Sequence, residues 1–216
     1  KKMKKYIVFI TDCSDIAYNE LRATVLTELA KLNSNYSIEI EPVVGVKPFS
    51  IINGCFVLRL MAESYPEGTI FSVILNPSRE RPERLMGKTS SKNFLFMGAN
   101  TGVFEWFLRD FGVEQLYELT DPGFKPFGGK YVHAPAVAQI ASGISFSKLG
   151  TPFSCDKLRK LVIPSGAIIH IDNFGLMKFN SSLPQLADGE IVSVRVNDRK
   201  ISAVYTKRMM GQETGD

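Results

Sequence analysis

Two carboxylates separated by most of the chain are the residues best typed for chemistry. Asp12 ends the first apolar strand, Ile7-Val8-Phe9-Ile10-Thr11-Asp12, and Asp172 opens a second acidic turn, Asp172-Asn173-Phe174-Gly175. Two acids so placed suit a polar nucleoside. Each also has a plainer reading: Asp12 caps the following helix beside Ser14 and Asp15, and Asp172 opens a hairpin turn. Taken singly, each plainer reading is the better one. Other chemistries lack their residues. No Gly-x-Gly-x-x-Gly follows the first strand and no Gly-x-x-x-x-Gly-Lys-Ser/Thr occurs, so a dinucleotide site and a phosphate loop both miss their backbone requirement. There is no Gly-x-Ser-x-Gly elbow, and the two histidines, His133 and His170, fall in no motif that pairs them with a nucleophile or a metal. Cys13, Cys55 and Cys155 are odd in number and far apart, against a disulfide scaffold or structural zinc, so the expectation is no metal and a reducing cytoplasm.

The elements that must position these residues follow from periodicity. Apolar runs at Tyr6–Ile10, Ser37–Ile40, Thr69–Leu75, Asn93–Met97 and Gln115–Leu119 alternate with helix-period segments at Ala17–Leu32, Ile51–Tyr65, Val103–Phe111 and Ala134–Gly143. The strands are continuous apolar runs, as expected when helices cover both faces of a mostly parallel sheet, and ligands of such sheets collect at the strands' carboxyl ends. Ser50 is a cap for the second helix, whose stripe of Ile51, Cys55, Leu58 and Ala62 is core. His133 reads as a structural residue at the entrance of the helix that carries Pro135 in its first turn.

After Gly143 the texture changes. A Ser/Phe/Gly/Pro stretch leads into short β-type runs at Lys160–Ile163, Ala167–Ile171, Ile191–Val196 and Ile201–Tyr205, with Asp188-Gly189 and Asn197-Asp198 as turns. The expected organisation is therefore an α/β domain over residues 1–145, a linker over 146–158 and a small, shortened β domain over 159–216, the last a possible fragment of a barrel. The chain of 216 residues is 44% hydrophobic and 22% charged, which is globular composition and against disorder. Its net charge of +4 is dispersed apart from Lys1, Lys2, Lys4 and Lys5, so neither a nucleic-acid footprint nor a membrane span stands out. The apolar stretch after Lys5 reads as a strand, not a signal peptide.

One ordered set of short motifs remains: Thr11-Asp12; Pro48 with Ile51 and Gly54-Cys55-Phe56-Val57-Leu58; Tyr65-Pro66-Glu67-Gly68-Thr69; Asn76-Pro77; Phe96-Met97-Gly98; Gly102; Phe127-Gly128-Gly129-Lys130; Ala134-Pro135; and Asp172-Asn173-Phe174-Gly175. Their order resembles the S-adenosylmethionine (SAM) hydroxide adenosyltransferase family, which also holds the SAM-dependent chlorinases and fluorinases, over about Tyr6 to Tyr205. The resemblance implies a ligand between the α/β domain of one subunit and the β domain of a neighbour, in a homotrimer. It implies no cofactor, with SAM or adenosine as substrate or ligand. It places Asp12 on the ribose hydroxyls, where one carboxylate can accept both O–H bonds of a cis-diol, Asp172 toward the methionine ammonium, and Phe49 against the sugar. Asp15, Phe127 and Phe174 complete the implied ligand-binding set.

The departures define the expected activity. Water-using members carry an Asp before Pro, an Arg just downstream and a His in Phe-His-Gly-Arg-Asp. Here the first is Asn76, the second falls at Glu83 or Arg84, and the third is Gly128. Asn76, Arg84 and Gly128 thus stand at the catalytic positions, with two of the three polar types missing. Orienting or general-base groups supply roughly 10²–10⁴-fold, so the expectation is a slow hydrolysis of SAM to adenosine and methionine, or a nucleoside-binding or oligomeric module that has lost the reaction. Halogenation ranks below both, because the charged loop at Arg79–Arg84 has no match to a halide pocket. Leu176 stands where the family has Asn, and no counterpart of the family's adenine-contacting segment follows Tyr205.

Overall fold

The computed structural model describes residues 3–32, 34–75, 81–181 and 185–207. In chain order the elements of the α/β part are β1 (Met3–Thr11), α1 (Asp15–Lys31), β2 (Tyr36–Ile40), β3 (Val44–Gly45), α2 (Ile51–Ser64), β4 (Ile70–Ile74), β5 (Arg84–Lys88), β6 (Leu95–Ala99), α3 (Glu105–Phe111), β7 (Gln115–Leu119), α4 (Ala134–Ala141) and β8 (Gly150–Pro152). Two hairpins follow, β9 (Ala167–Ile171) with β10 (Met177–Asn180), and β11 (Ile191–Val196) with β12 (Arg199–Val204).

The eight strands form one sheet in the order β2-β1-β4-β6-β5-β7-β8, with β3 pairing to the far end of β1. Ladders among β1, β2, β3, β4 and β6 are parallel, as the continuous apolar runs predicted. The other half is antiparallel, because β5 inserts between β6 and β7 and β8 closes the edge. β5 is the strand that periodicity passes over: Arg84-Leu85-Met86-Gly87-Lys88 has only two apolar side chains, and its neighbours bury it. Gly87 lets those neighbours close, since a Cβ there would lie 2.5 Å from the Gln115 carbonyl and 2.6 Å from the Phe96 ring. Within the stretch read as a linker, Gly150–Pro152 adds β8 to the sheet.

Alternate side chains of β1 enter two cores. Ile7 and Phe9 pack with Leu21, Val25, Val137 and Ala141 under α1 and α4, while Val8 and Ile10 pack with Leu58, Phe71, Phe96 and Phe107 under α2 and α3. A strand buried on both faces needs no polar alternation. On the α3 side, Phe71, Phe94, Phe107 and Phe111 meet with ring centroids 5.2 to 6.0 Å apart, several edge to face, the arrangement the ring quadrupole favours.

The C-terminal part consists of two antiparallel ladders that do not pair with one another among the described residues. The first docks on α2: Asn53 Nδ2 donates to the Ile169 carbonyl at 2.9 Å and lies 2.9 Å from His170 Nδ1, and Phe56 packs on the His170 ring at 5.3 Å. No strand forms at Lys160–Ile163, where one was expected. That run lacks a partner ladder among the described residues and is flanked by side-chain bonds: Asn100 Oδ1 accepts the Arg159 N–H at 2.9 Å, and Asn180 Nδ2 donates to the Ile163 carbonyl at 2.9 Å. No described helix is long and apolar enough to cross a membrane, and the described residues contain no cluster of three metal-ligating side chains.

Candidate functional site

The carboxyl ends of β1, β4 and β6 and the start of antiparallel β5 meet at one edge of the sheet, and a cavity of about 360 Å³ opens there. Cys13, Leu75, Arg84, Ala99, Phe127 and His133 are among the residues that line it. Its volume falls within the roughly 300–1,000 Å³ of small-molecule sites, and the crevice outside the strands' carboxyl ends is where ligands of open α/β sheets bind.

Asp12 lies one residue beyond β1, beside Cys13 of the cavity wall. Its Oδ2 accepts the backbone N–H of Phe49 at 3.0 Å, so this carboxylate ties the end of β1 to the loop that enters α2. Ser14, and not Asp12, occupies the cap position of α1. Phe49 stands in the left-handed region at φ 60° with its side chain 69% exposed. A bulky residue in that conformation costs on the order of 1–3 kcal/mol and persists only where the surroundings hold it; the bond to Asp12 is such a restraint. Asp15 begins α1, exposed and also at positive φ, with Asn19 Nδ2 donating to its carbonyl at 3.1 Å.

Of the three positions that the resemblance assigns to catalysis, Asn76 lies outside the described residues. Arg84 and Gly128 both line the cavity. The Arg84 side chain is only 16% exposed and its Nη1 donates to Asp121 Oδ1 at 3.1 Å. Arg81 approaches the same carboxylate at 3.9 Å. Gly128 lets the guanidinium come close: a Cβ there would lie 3.2 Å from Arg84 Nη2, so a side chain would press on it. Arg81, Arg84 and Lys125 face Asp121 alone among the described charged residues of the wall, which is therefore positive.

The segment from Phe127 onward enters α4 through a π turn, Gly129–His133, in which the Ala134 N–H reaches the Gly129 carbonyl. His133 ends that turn and is among the residues that line the cavity. It is buried at 7% exposure, and its Nδ1 has no hydrogen-bond partner among the described residues. Burial, with the neighbouring Arg84 charge, pushes its pKa down to about 4, so the ring is neutral at physiological pH. Its sequence position suggested only a helix entrance. Proximity to Phe127-Gly128 was the one available signal, and an α-helical reading of the segment discards it.

Asp172 and Phe174 are not brought to this cavity within one chain. Asp172 Oδ1 accepts the N–H groups of Phe174 and Leu176 at 2.9 and 3.0 Å, and Oδ2 accepts Lys178 Nζ at 3.0 Å. The Lys178 ammonium, aided by those two backbone donors, holds the carboxyl below its ordinary range. Asp172 thus builds the β9–β10 turn, which Gly175 completes at φ 86°, and the turn presents Phe174 with its side chain 82% exposed.

Comparison with known proteins bears on the α/β part. The description "SAM hydroxide adenosyltransferase N-terminal domain" matches residues 7–150. The fold is similar to a crystal structure of an uncharacterized conserved protein from Thermotoga maritima, with a TM-score of 0.75 and 21% identity over 97% of this chain and 86% of that one. It is also similar to a conserved hypothetical protein from Thermus thermophilus, with a TM-score of 0.68 and 18% identity over 94% and 83% of the two chains. No curated protein matches the chain.

Proposed function

The chain belongs to the SAM hydroxide adenosyltransferase family, and on that premise we propose that it binds SAM or adenosine at the strand-end cavity and slowly converts SAM and water to adenosine and methionine. The observation that carries this reading is the convergence of Arg84, Phe127 and Gly128 on one cavity beside Asp12. Asp12 and Phe49 hold the ribose, with Asp15 at the rim of the same turn.

The reaction is displacement at the 5′ carbon with a neutral thioether leaving, so it needs alignment and exclusion of solvent more than it needs an acid. It also discharges a sulfonium. A positive wall therefore opposes the bound substrate more than the transition state, which lowers the barrier at the expense of affinity. The exposed apolar side chains of the hairpins, Ile171, Phe174, Ile191 and Val204, support a homotrimer in which the hairpins of one subunit close the cavity of the next. In that arrangement Asp172 and Phe174 reach a ligand bound by a neighbour.

A second reading, a nucleoside-binding module without turnover, is favoured by Gly128, which brings no side chain to the attack line, and by the engagement of Asp172 with Lys178. Titration calorimetry with SAM and with adenosine, followed by chromatography of the incubated mixture, separates the two. Binding of both with slow release of adenosine is expected. Binding without release selects the module, and failure of both ligands to bind overturns the site.

A further inference from the structure

Position 128 carries no side chain, yet a histidine five residues later lines the same cavity. At 3.6 residues per turn, a residue five positions on points about 140° away from its reference. The π turn, with bonds from i to i+5, instead brings residues five apart close to one column. Gly128 precedes that turn and His133 ends it, and both line the cavity with Arg84. The ring is buried in the wall with Nδ1 unpartnered among the described residues. Nδ1 is closed to solvent as well as unpartnered, which leaves Nε2 as the nitrogen through which an imidazole, unlike an apolar ring of the same size, can serve the cavity that His133 lines.

We propose that His133 supplies the imidazole that position 128 lacks, hydrogen-bonding the water that attacks the 5′ carbon of the sulfonium nucleoside. This inference rests on the adenosyltransferase reading of the cavity. The water oxygen forms its bond to C5′, the C5′–S bond breaks, and its electron pair stays on sulfur as the neutral thioether of methionine. One water proton passes to the ring and from there to solvent. Burial and Arg84 keep the ring uncharged above about pH 4, so it can accept at neutral pH. A weak base suffices here, because the water's protons become strongly acidic as the C–O bond forms. The charged groups that share the wall with it are Arg81, Arg84, Asp121 and Lys125.

The full chain has two histidines, His133 and His170, so ¹⁵N-histidine spectra resolve the ring directly, with His170→Asn as the assignment control. Saturating SAM or adenosine should move the His133 ring signals. Adenosine release should fall about 10²-fold or more in His133→Phe, with SAM affinity near wild type, and the wild-type rate should decline only as pH drops toward about 4. His133→Gln serves if the Phe variant misfolds. Wild-type turnover in a folded His133→Phe overturns the proposal and leaves the family reading standing. If the wild type binds SAM without turnover, the hydrolase reading fails, and the ring signals still decide: unmoved, they remove His133 from the site. If neither ligand binds, the cavity reading fails and the proposal with it.

Discussion

Asp12 does two things at once, holding Phe49 in a left-handed conformation and standing at the end of β1 beside the cavity. Asp12→Ala should therefore weaken adenosine binding ten-fold or more, from the roughly 1.5–3 kcal/mol of hydrogen bonds to a charged group. Asp12→Asn keeps a carbonyl oxygen for the Phe49 N–H and should fall between the two in calorimetry. Equal affinity of all three, with the fold intact, would leave Asp12 as a loop restraint only. A second outcome concerns the missing polar partners. Asn76→Asp should raise adenosine release well above wild type, since it restores the carboxylate that the family resemblance assigns to that position. Adding Gly128→His should bring little more, because its Cβ meets the Arg84 guanidinium at 3.2 Å and, on the proposal above, His133 of the same cavity wall already serves the water. A large further gain from the second substitution would show that His133 does not serve the water. At this scale residue types were legible in the sequence, but neighbours were not. Asp12 reads as a helix cap until the fold brings Phe49 to it.

Among the elements, α2 is the one that both the loop after β3 and the first hairpin lean on. Asn53, buried in its first turn, accepts the Lys47 N–H at 2.8 Å through Oδ1 and donates to the Ile169 carbonyl and toward His170. Asn53→Ala leaves buried partners unsatisfied, each costing about 1–3 kcal/mol. Amide exchange should accelerate in β9 and β10 while the central strands β1 and β4 keep their protection. Unchanged exchange in β9 would mean that Phe56 and Ile169 alone hold the hairpin. The strongly periodic elements were legible: α2 begins at Ile51 behind Ser50, whose hydroxyl accepts the Asn53 N–H at 3.2 Å, and β7, β9 and β11 have the bounds their apolar runs mark. Others were not. β5 and β8 are strands only because neighbours offer them a ladder, and the equally apolar Lys160–Ile163 is not a strand because none does.

At the scale of the whole molecule, two-stranded ribbons are marginal on their own, and the hairpins here leave Ile171, Phe174, Ile191 and Val204 more than half exposed. Self-association into a trimer is the expected result of light scattering, and Phe174→Glu with Ile191→Glu should shift it toward monomer. A monomer at all working concentrations in the wild type would remove the shared site. Global stability should also carry the signature of His133. Its folded pKa of about 4 lies below the ordinary 6.5, so the unfolded chain takes up the proton first. The neutral ring's contribution is full above about pH 6.5 and is lost as pH falls from there toward 4, by about 3 kcal/mol in all. Urea unfolding across that range should show the loss in wild type and a flatter profile in His133→Phe; identical profiles would refute the burial of a neutral ring. The sequence by itself determined the layered α/β fold, the family and the identity of the polar groups, because burial on both faces and turn chemistry are written in local patterns. Only the tertiary structure decided which of those groups meet. The order of strands in a mixed sheet, the π turn that brings His133 to the same cavity wall as Gly128, and the closing of Asp121 on Arg84 all depend on contacts between residues distant in the chain or on one extra residue in a helical turn, and local periodicity carries neither.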